Sequence, residues 1–569
     1  MMRRSLVILL LMGLPGVSLG QQGVDKYFAP GSQFYFHFDG IDAQREAFDK
    51  TATGKMLKGE TGKFVNNLWT YLNENIEPLM VKAEVDPDLI ALVKELPGVV
   101  ESLYKHGFAM AIEARQFNPP EVQAVFVFPG SGGPKGKLSS IVKKTLKIGQ
   151  VETTTIRDKG MEMQRISNIP PLEVAFGSDG DNALLVVGNV DPADVMRRRN
   201  DKGNNIAKNP LHMDLKKFKE FAPLSQGFLD VGGLLKSASA LAPPIAKVID
   251  ETGLNGLTSI TFHSGFDGPA ERSVTDFNMP GPRKGLLALT KTTKFSLSDL
   301  PPLPHDILGF SAASLDATAA YDTLIQVGEG SVRVFNPDIA DNVKETIKQA
   351  EGLIGVNLRD GLLSSLGNMT VSYNSPSESP LLGLGSVTLF KVKDEKKLIE
   401  AAQSILKNFP PVPAAELVAK VRKYHGVDVV DVELGPVTAT FAIHKGWLIW
   451  SNYPQPVHGY ILRAQGDLPT WKADARTEKA LAAFPKEFNS FSMSDPAPLL
   501  QSVLAVAPPV LSAMNSASKQ FLPAIKPFDV SSVPHPLEAT RFLFPNITIR
   551  TDNGKRVRIE TRSSFPSPF

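Results

Sequence analysis

Phe28-Ala29-Pro30-Gly31-Ser32-Gln33 and Phe221-Ala222-Pro223-Leu224-Ser225-Gln226 agree at five of six positions. A hydrophobic strand follows each phrase, Phe34 to Phe38 and Gly227 to Val231, and an acidic residue, Asp39 or Asp230, punctuates it. Two looser copies lie further on. Pro304-His305-Asp306-Ile307-Leu308-Gly309-Phe310 leads into Ser311 to Ala320, and Pro485-Lys486-Glu487-Phe488-Asn489-Ser490-Phe491 leads into Asp495 to Ala505. Such internal similarity is the first thing to look for in a long chain, because missing it misassigns the whole fold.

The spacing orders the four copies into two pairs. Pro30 to Pro223 is 193 residues, and Pro304 to Pro485 is 181. Between the members of each pair lies a hairpin pattern. One is Leu172 to Phe176, a turn at Ser178-Asp179-Gly180-Asp181, then Ala183 to Val187. The other is Val437 to Phe441, a turn at His444-Lys445-Gly446, then Trp447 to Trp450. Each half closes on a Phe- and Pro-containing phrase, Phe277 to Pro282 and Phe565 to Pro568. The expected organisation is a signal peptide over 1–20, a first repeat over 21–282, a linker over 283–303 and a second repeat over 304–569. A strand is expected at the linker's centre, Leu286 to Thr290.

Within the first half, apolar spacing predicts helices over Gln44–Leu57, Gly62–Leu79 and Leu138–Lys147. Another is expected over Pro87–Leu103, with Asp86 as N-cap before a first-turn proline. Strands are expected at Phe108–Ala114, Val122–Phe128, Thr153–Arg157 and Met161–Ile166, with a loop at Asn118-Pro119-Pro120. The second half predicts helices over Ala340–Leu353 and Glu395–Phe409. Its strands are Asn368–Tyr373 and Leu384–Val392, with a loop at Ser375–Pro380 and a break at Pro410-Pro411-Val412-Pro413. Hairpin-joined strands interleaved with helices, without short βαβ units, define an α+β class: two homologous repeats, each a mainly antiparallel sheet with packed helices.

The first twenty residues give a destination. Arg3 and Arg4 precede the apolar run Leu6 to Met12, and Ser18-Leu19-Gly20 has the small residues of a cleavage site, the layout of a secretory signal. Pro15 and Gly16 interrupt the run well short of the ~20 residues that a membrane span needs. A periplasmic or extracellular location is expected. The 61 basic residues less Arg3 and Arg4 leave 59, equal to the 59 acidic ones. A neutral mature chain lacks the basic excess that binding to nucleic acid requires. Arg197-Arg198-Arg199, the tightest basic cluster, followed by the polar stretch Asn200 to Asn205, is read as a solvated loop after a helix. No later segment has 18 uninterrupted apolar residues, so no transmembrane segment is expected after cleavage. With no cysteine, disulfides, thiolate metal sites and cysteine nucleophiles are excluded.

An export signal, no cysteine, and two halves that each open on a Pro-led strand and contain a Gly-turn hairpin together resemble an uncharacterised family of duplicated, exported α+β proteins, a domain of unknown function from environmental bacteria. The resemblance implies fold and location and supplies no residue roles.

The motifs that carry chemistry are incomplete. Gly130-Ser131-Gly132-Gly133-Pro134-Lys135-Gly136-Lys137 sits between a strand and a helix like a phosphate loop. However, Gly130 is one residue too far from Gly136, Leu138 replaces the metal-binding hydroxyl, and Pro134 removes an amide. Gly16-Val17-Ser18-Leu19-Gly20 has nucleophile-elbow spacing but lies in the leader. Ser140, Ser404 and Ser516 each stand three residues before a lysine, without the companion motifs of penicillin-binding enzymes. The nine histidines are dispersed, His37 near Asp39 and His444 at a turn. Asp179-Gly180-Asp181-Asn182 lacks the later ligands of a calcium loop and reads as a hairpin turn, as does Asp552-Asn553-Gly554. Asn368-Met369-Thr370 and Asn546-Ile547-Thr548 fit glycosylation acceptors and read as strand.

No residue is therefore assigned a catalytic, cofactor-binding or metal-binding role, and no cofactor is expected. The expected function is non-catalytic binding or scaffolding of an envelope macromolecule, polymer or hydrophobic ligand, through a groove between the halves. The alternative is an exported hydrolase with a site assembled from distant residues. Phe441, Trp447, Trp450, Tyr453 and Tyr460 form the densest aromatic cluster and are read chiefly as core, with some on an exposed strand face. N-terminal sequencing of exported protein is expected to begin at Gln21; a chain beginning at Met1 in the cytoplasm would refute the leader.

Overall fold

A computed structural model describes residues 23–117, 120–133, 136–158, 160–166, 172–201, 203–378, 386–408, 418–434, 437–521 and 525–565. The leader lies outside these residues. So do Asn118-Pro119, Pro134-Lys135, residues 379–385 with the expected start of a strand at Leu384, the Pro410 to Pro413 break, and Pro566 to Pro568.

The fold is α+β, and among the described residues twenty strands form one antiparallel sheet. The first ten are β1 (Phe34–Phe38), β2 (Phe108–Phe117), β3 (Pro120–Phe128), β4 (Thr153–Asp158), β5 (Met161–Ile166), β6 (Glu173–Asp179), β7 (Asn182–Gly188), β8 (Pro223–Leu229), β9 (Ser259–Asp267) and β10 (Ala270–Asn278). The second ten are β11 (Gly309–Ser314), β12 (Leu366–Asn374), β13 (Val387–Val392), β14 (Val418–Tyr424), β15 (Val427–Leu434), β16 (Val437–His444), β17 (Trp447–Ser451), β18 (Ser490–Ser494), β19 (Asn546–Asp552) and β20 (Arg556–Ser563).

Across the sheet the first run is ordered β4-β5-β6-β7-β3-β2-β1-β8-β9-β10. The second is ordered β14-β15-β16-β17-β13-β12-β11-β18-β19-β20. Adding ten to each strand number turns one order into the other. The runs meet where β10 pairs antiparallel with β20, from Glu271 opposite Ser563 to Asn278 opposite Arg556.

The recurring acidic residues after strands have a local explanation. The Asp230 carboxylate accepts a hydrogen bond from Gly233 N at 2.8 Å, and Asp316 accepts from Ala319 N at 2.9 Å. Both cap the first turn of a helix, Val231–Ser239 and Ala317–Phe335, where backbone donors would otherwise be unsatisfied. Asp86 does the same for the Pro87–His106 helix.

Several expectations need correction. The Gln44–Leu57 helix is broken at Asp49 to Thr51, because Thr51 Oγ1 accepts from Gly54 N and starts a new helix, Ala52–Leu57. The linker's centre is a 3-10 turn, Gly285–Thr290, and not a strand. Leu287 turns inward there against Met279 and Val557, and Arg283 reaches Thr290 Oγ1. Arg198 and Arg199 do not belong to a solvated loop. Both lie in the Ala193–Asn200 helix, where Arg198 is buried and donates to Tyr27 O, while Arg199 grips Asp179.

The core divides by sheet face. Tyr35, Ala109, Val127, Leu184 and Phe228 pack with Tyr27, Val195 and Met196 on one face of the first run. Phe108, Phe128 and Leu185 pack on the other face with Leu92, Leu103, Leu138 and Ile141. In the second run Val371, Leu389, Ile449, Phe491 and Ile549 meet Val457, Tyr460 and Ile461 of the Pro454–Gln465 helix. The runs also exchange helical contacts: Ala52 and Met56 pack with Ala497 and Leu543, and Phe64 and Tyr71 pack edge-on against Phe528.

At the seam, one face of β10–β20 carries a charge ladder. Asp276 accepts from Arg556 and Arg558 at 2.9–3.1 Å, Glu560 accepts from Arg272 at 2.8 Å, and Glu220 bonds both Arg272 and Arg558. Asp276→Ala should lower the thermal midpoint by several degrees, at about 2–4 °C per kcal/mol for large domains, because two guanidinium groups lose their buried partner. Glu433→Ala, which breaks the exposed Lys420–Glu433 pair, should change it little. Equal midpoints in a thermal melt would show that the ladder does not hold the seam.

Candidate functional site

The two runs continue one sheet edge to edge where β10 pairs with β20. A concavity with convergent polar groups lies inside the second run. It is a cavity of about 660 Å³ between the sheet, the Pro454–Gln465 helix and the 293–302 segment. That size falls within the ~300–1,000 Å³ of small-molecule sites.

Each wall is fixed by backbone. The 290–303 segment is strapped down by reciprocal bonds between Phe295 and Phe488 at 2.9 and 3.0 Å, and by Trp471 N donating to Leu303 O at 2.8 Å. Asn489 Nδ2 donates to Thr292 O at 2.8 Å, and Arg550 donates to Thr290 O at 2.9 Å. The expected linker is thus a structural wall. Opposite it, Met369 of β12, Lys391 of β13 and Trp447 of β17 line the cavity from one sheet face. The β16–β17 turn adopts positive φ at Lys445 (48°) and Gly446 (76°), which suits a tight hairpin and brings Lys445 to the rim.

The cavity's chemistry is cationic and hydroxylic. Lys294, Lys391 and Lys445 line it with Asp299, whose carboxyl is held below its usual range by hydrogen bonds from the Ser296 backbone and side chain. Lys391 Nζ lies 4.8 Å from the centre of the Trp447 ring, within cation–π range. Lys445 Nζ donates to Ala464 O. At the base, Arg463 pairs with Glu378, donates to Tyr373 Oη at 2.6 Å and to Pro302 O at 3.1 Å. Burial pushes the Glu378 carboxyl up against the pull of Arg463. Tyr460 is fully buried, and burial pushes its phenol well above its ordinary value. Its hydroxyl has no hydrogen-bond partner among the described residues.

The corresponding corner of the first run is closed. There Tyr27 packs on the Ala193–Asn200 helix, and its hydroxyl donates to Asp179 at 2.6 Å. Arg199 and Lys26 donate to the same carboxylate. Burial raises that carboxyl, but these donors outweigh it and hold it at about 2. The turn acid read from sequence as a hairpin residue is therefore an anchor, a role its Asp-Gly context did not signal.

The aromatic cluster is split by the sheet. Trp447 and Tyr460 are buried on the cavity side. Phe441 and Trp450 pair across β16–β17 on the opposite face, ring centroids 6.5 Å apart, with Trp450 38% and Tyr453 36% exposed. Lys391 and Lys294 had no sequence signal, because they are isolated lysines brought together only by the fold. The other candidates do not converge here. Gly132 packs so tightly that an added Cβ would lie 2.5 Å from Asn182 backbone, which explains the glycine-rich loop by contact and not by phosphate. His263 stacks on Phe218 at 3.9 Å, and His458 stacks on Tyr424 at 3.8 Å. His37 is half-buried, and desolvation lowers it to about 4, with Asp39 3.5 Å away. Among the described residues no group of three metal-type donors occurs.

No known protein family and no curated protein matches the chain. Two solved crystal forms of TP0453, forms III and I, are similar at 6% and 9% identity, both with a TM-score of 0.23. They cover 46% and 47% of this chain and 80% and 82% of their own. At that score neither fold nor function transfers.

Tyr460→Phe should leave the thermal midpoint unchanged or raise it, since deleting an unpaired buried hydroxyl removes a desolvation cost of about 1–3 kcal/mol. A drop of several degrees in a thermal melt would show that the hydroxyl is satisfied within the protein.

Proposed function

We propose that the protein is an exported, non-catalytic binding protein of the periplasm or cell exterior, and that its cavity takes a small anionic organic molecule. The observation that carries this reading is the convergence of Lys294, Lys391 and Lys445 on a cavity of about 660 Å³ walled by Trp447. The lysines set the sign of the ligand. Trp447, already under Lys391, offers a flat apolar wall. Location rests on the leader alone.

Binding is preferred to hydrolysis on the nature of the lining. It supplies the hydroxyls of Thr293, Ser298 and Ser314, but Thr293 and Ser314 bond each other at 2.7 Å. Asp299 is engaged by Ser296. Neither hydroxyl nor carboxylate is set up as a nucleophile with its base.

The test is a thermal-shift and tryptophan-fluorescence screen with small carboxylates and phosphate esters. A ligand that stabilises the protein should quench emission in the natural chain and much less in Trp447→Phe. Lys391→Glu with Lys445→Glu should weaken it about tenfold or more, equivalent to at least ~1.4 kcal/mol. A screen without a stabilising anion, or affinity unchanged by the double substitution, would refute the assignment.

A further inference from the structure

The helix Pro496–Phe521 has an unusual surface. Its Pro496–Gln520 stretch has a mean hydropathy of 1.5 over its most apolar window, yet only 11% of that window is buried. The helix carries no charge from Pro496 to Ser518. The sequence criterion of an unbroken apolar run passed over it because Ser, Gln and Asn interrupt it. The structure shows where those residues point. Gln501 bonds Thr540 Oγ1 at 2.8 Å, and Asn515 exchanges two 2.8 Å bonds with the Phe528 backbone. Ser502 and Ser516 return their hydroxyls to the Pro498 and Ser512 carbonyls at 3.0 Å.

The large side chains that remain outward are apolar. Leu499, Val503, Val506, Val510 and Met514 recur at three- and four-residue intervals, and all are about half exposed or more. The inward side, with Ala497 and Leu504, is buried and fastened to the protein. The helix therefore has two apolar sides, and packing uses only one. A second exposed stripe, Val65, Trp69, Leu72 and Leu79, lies on the Glu60–Lys82 helix. The two helices are tied to one segment, since Asn75 accepts from Lys526 N at 2.7 Å and Tyr71 packs on Phe528.

We propose that the outward stripe of the Pro496–Phe521 helix is a bilayer-docking face, lying along a membrane surface with its apolar side chains in the acyl region. Three features select lipid over a protein partner. Protein interfaces carry roughly one hydrogen bond per 100–200 Å² and a polar rim, whereas this stripe offers no side-chain donor or acceptor. The flanking Ser502 and Ser516 return their hydroxyls to the helix backbone, which is how polar groups survive beside hydrocarbon. Pro508 and Pro509 sit inside it, and internal proline is more frequent in membrane helices than in soluble ones. The helix docks and does not span, because Ala497, Gln501, Leu504 and Asn515 hold its other side to the sheet-bearing body. At 1.5 Å per residue the stripe from Leu499 to Met514 lays about 22 Å of apolar edge on the surface. With the mature chain neutral, docking depends on apolar burial and not on anionic lipid.

The experiment uses the chain without its first twenty residues, so that the leader's own apolar run cannot bind, and neutral phosphatidylcholine vesicles. Flotation should carry the protein with the vesicles, with little change on raising salt. Val503→Asp with Val510→Asp should reduce the bound fraction about tenfold or more, while circular dichroism and thermal midpoint stay unchanged. The cysteine-free chain allows a direct readout. A polarity-sensitive dye on Val510→Cys should shift to the blue with vesicles, and one on Lys423→Cys, on exposed β14, should not. No flotation and no shift overturns the proposal. So does a dimer in solution that the double aspartate variant dissociates, which would assign the stripe to a second copy. The cavity variants Lys391→Glu and Lys445→Glu should float normally, so failure of the ligand assignment and failure of docking are separable.

Discussion

The architecture depends on the antiparallel pairing of β10 with β20. Each strand would otherwise be the open edge of a ten-stranded run, and an open edge exposes a row of unpaired amides and carbonyls. Pairing the two edges satisfies both rows at once. A ladder alone would leave register free to slip. The side chains prevent that, because Arg272, Arg556, Arg558 and Arg562 meet Glu220, Asp267, Asp276 and Glu560 in alternation. A one-residue shift of β20 would turn Arg556, Arg558, Glu560 and Arg562 away from the partners they meet here.

The runs continue one sheet, and the cavity is formed by a helix and a connection laid over the second of them. In the first run that layer is closed at the Tyr27–Asp179–Arg199 anchor. In the second run, Lys391 and Trp447 face a segment held at a distance by Phe488 and Asn489. The same strand order thus yields a sealed corner in one run and a lined cavity in the other.

The opposite face shows the same divergence. In the first run one cross-strand row reads Phe36, Met110, Phe126 and Leu185. The matching row of the second run reads Ser311, Ser372, Thr388 and Trp450. Hydroxyls replace Phe36, Met110 and Phe126 there and withdraw apolar surface from the sheet. The Pro496–Phe521 helix likewise leaves an apolar stripe, Leu499 to Met514, uncovered.

The sequence by itself determined the local elements and their α+β class. Two-residue alternation and Asp-Gly or Lys-Gly turns carry short-range information, so the β6–β7 and β16–β17 hairpins were legible, as was the Asp86 cap. The Phe-Ala-Pro phrases located β1 and β8. Tertiary structure alone decided the edge-to-edge joining, because pairing between Arg272 and Arg562 spans hundreds of residues and leaves no local mark. It also decided the fate of Arg198 and Asp179, whose burial depends on Tyr27 arriving from the other end of the run. The cavity was illegible for the same reason: Lys294, Lys391, Lys445 and Tyr460 are unremarkable singly and acquire meaning only from convergence. Likewise, composition shows that Pro496–Phe521 is apolar, but only packing shows which side of it the protein leaves uncovered.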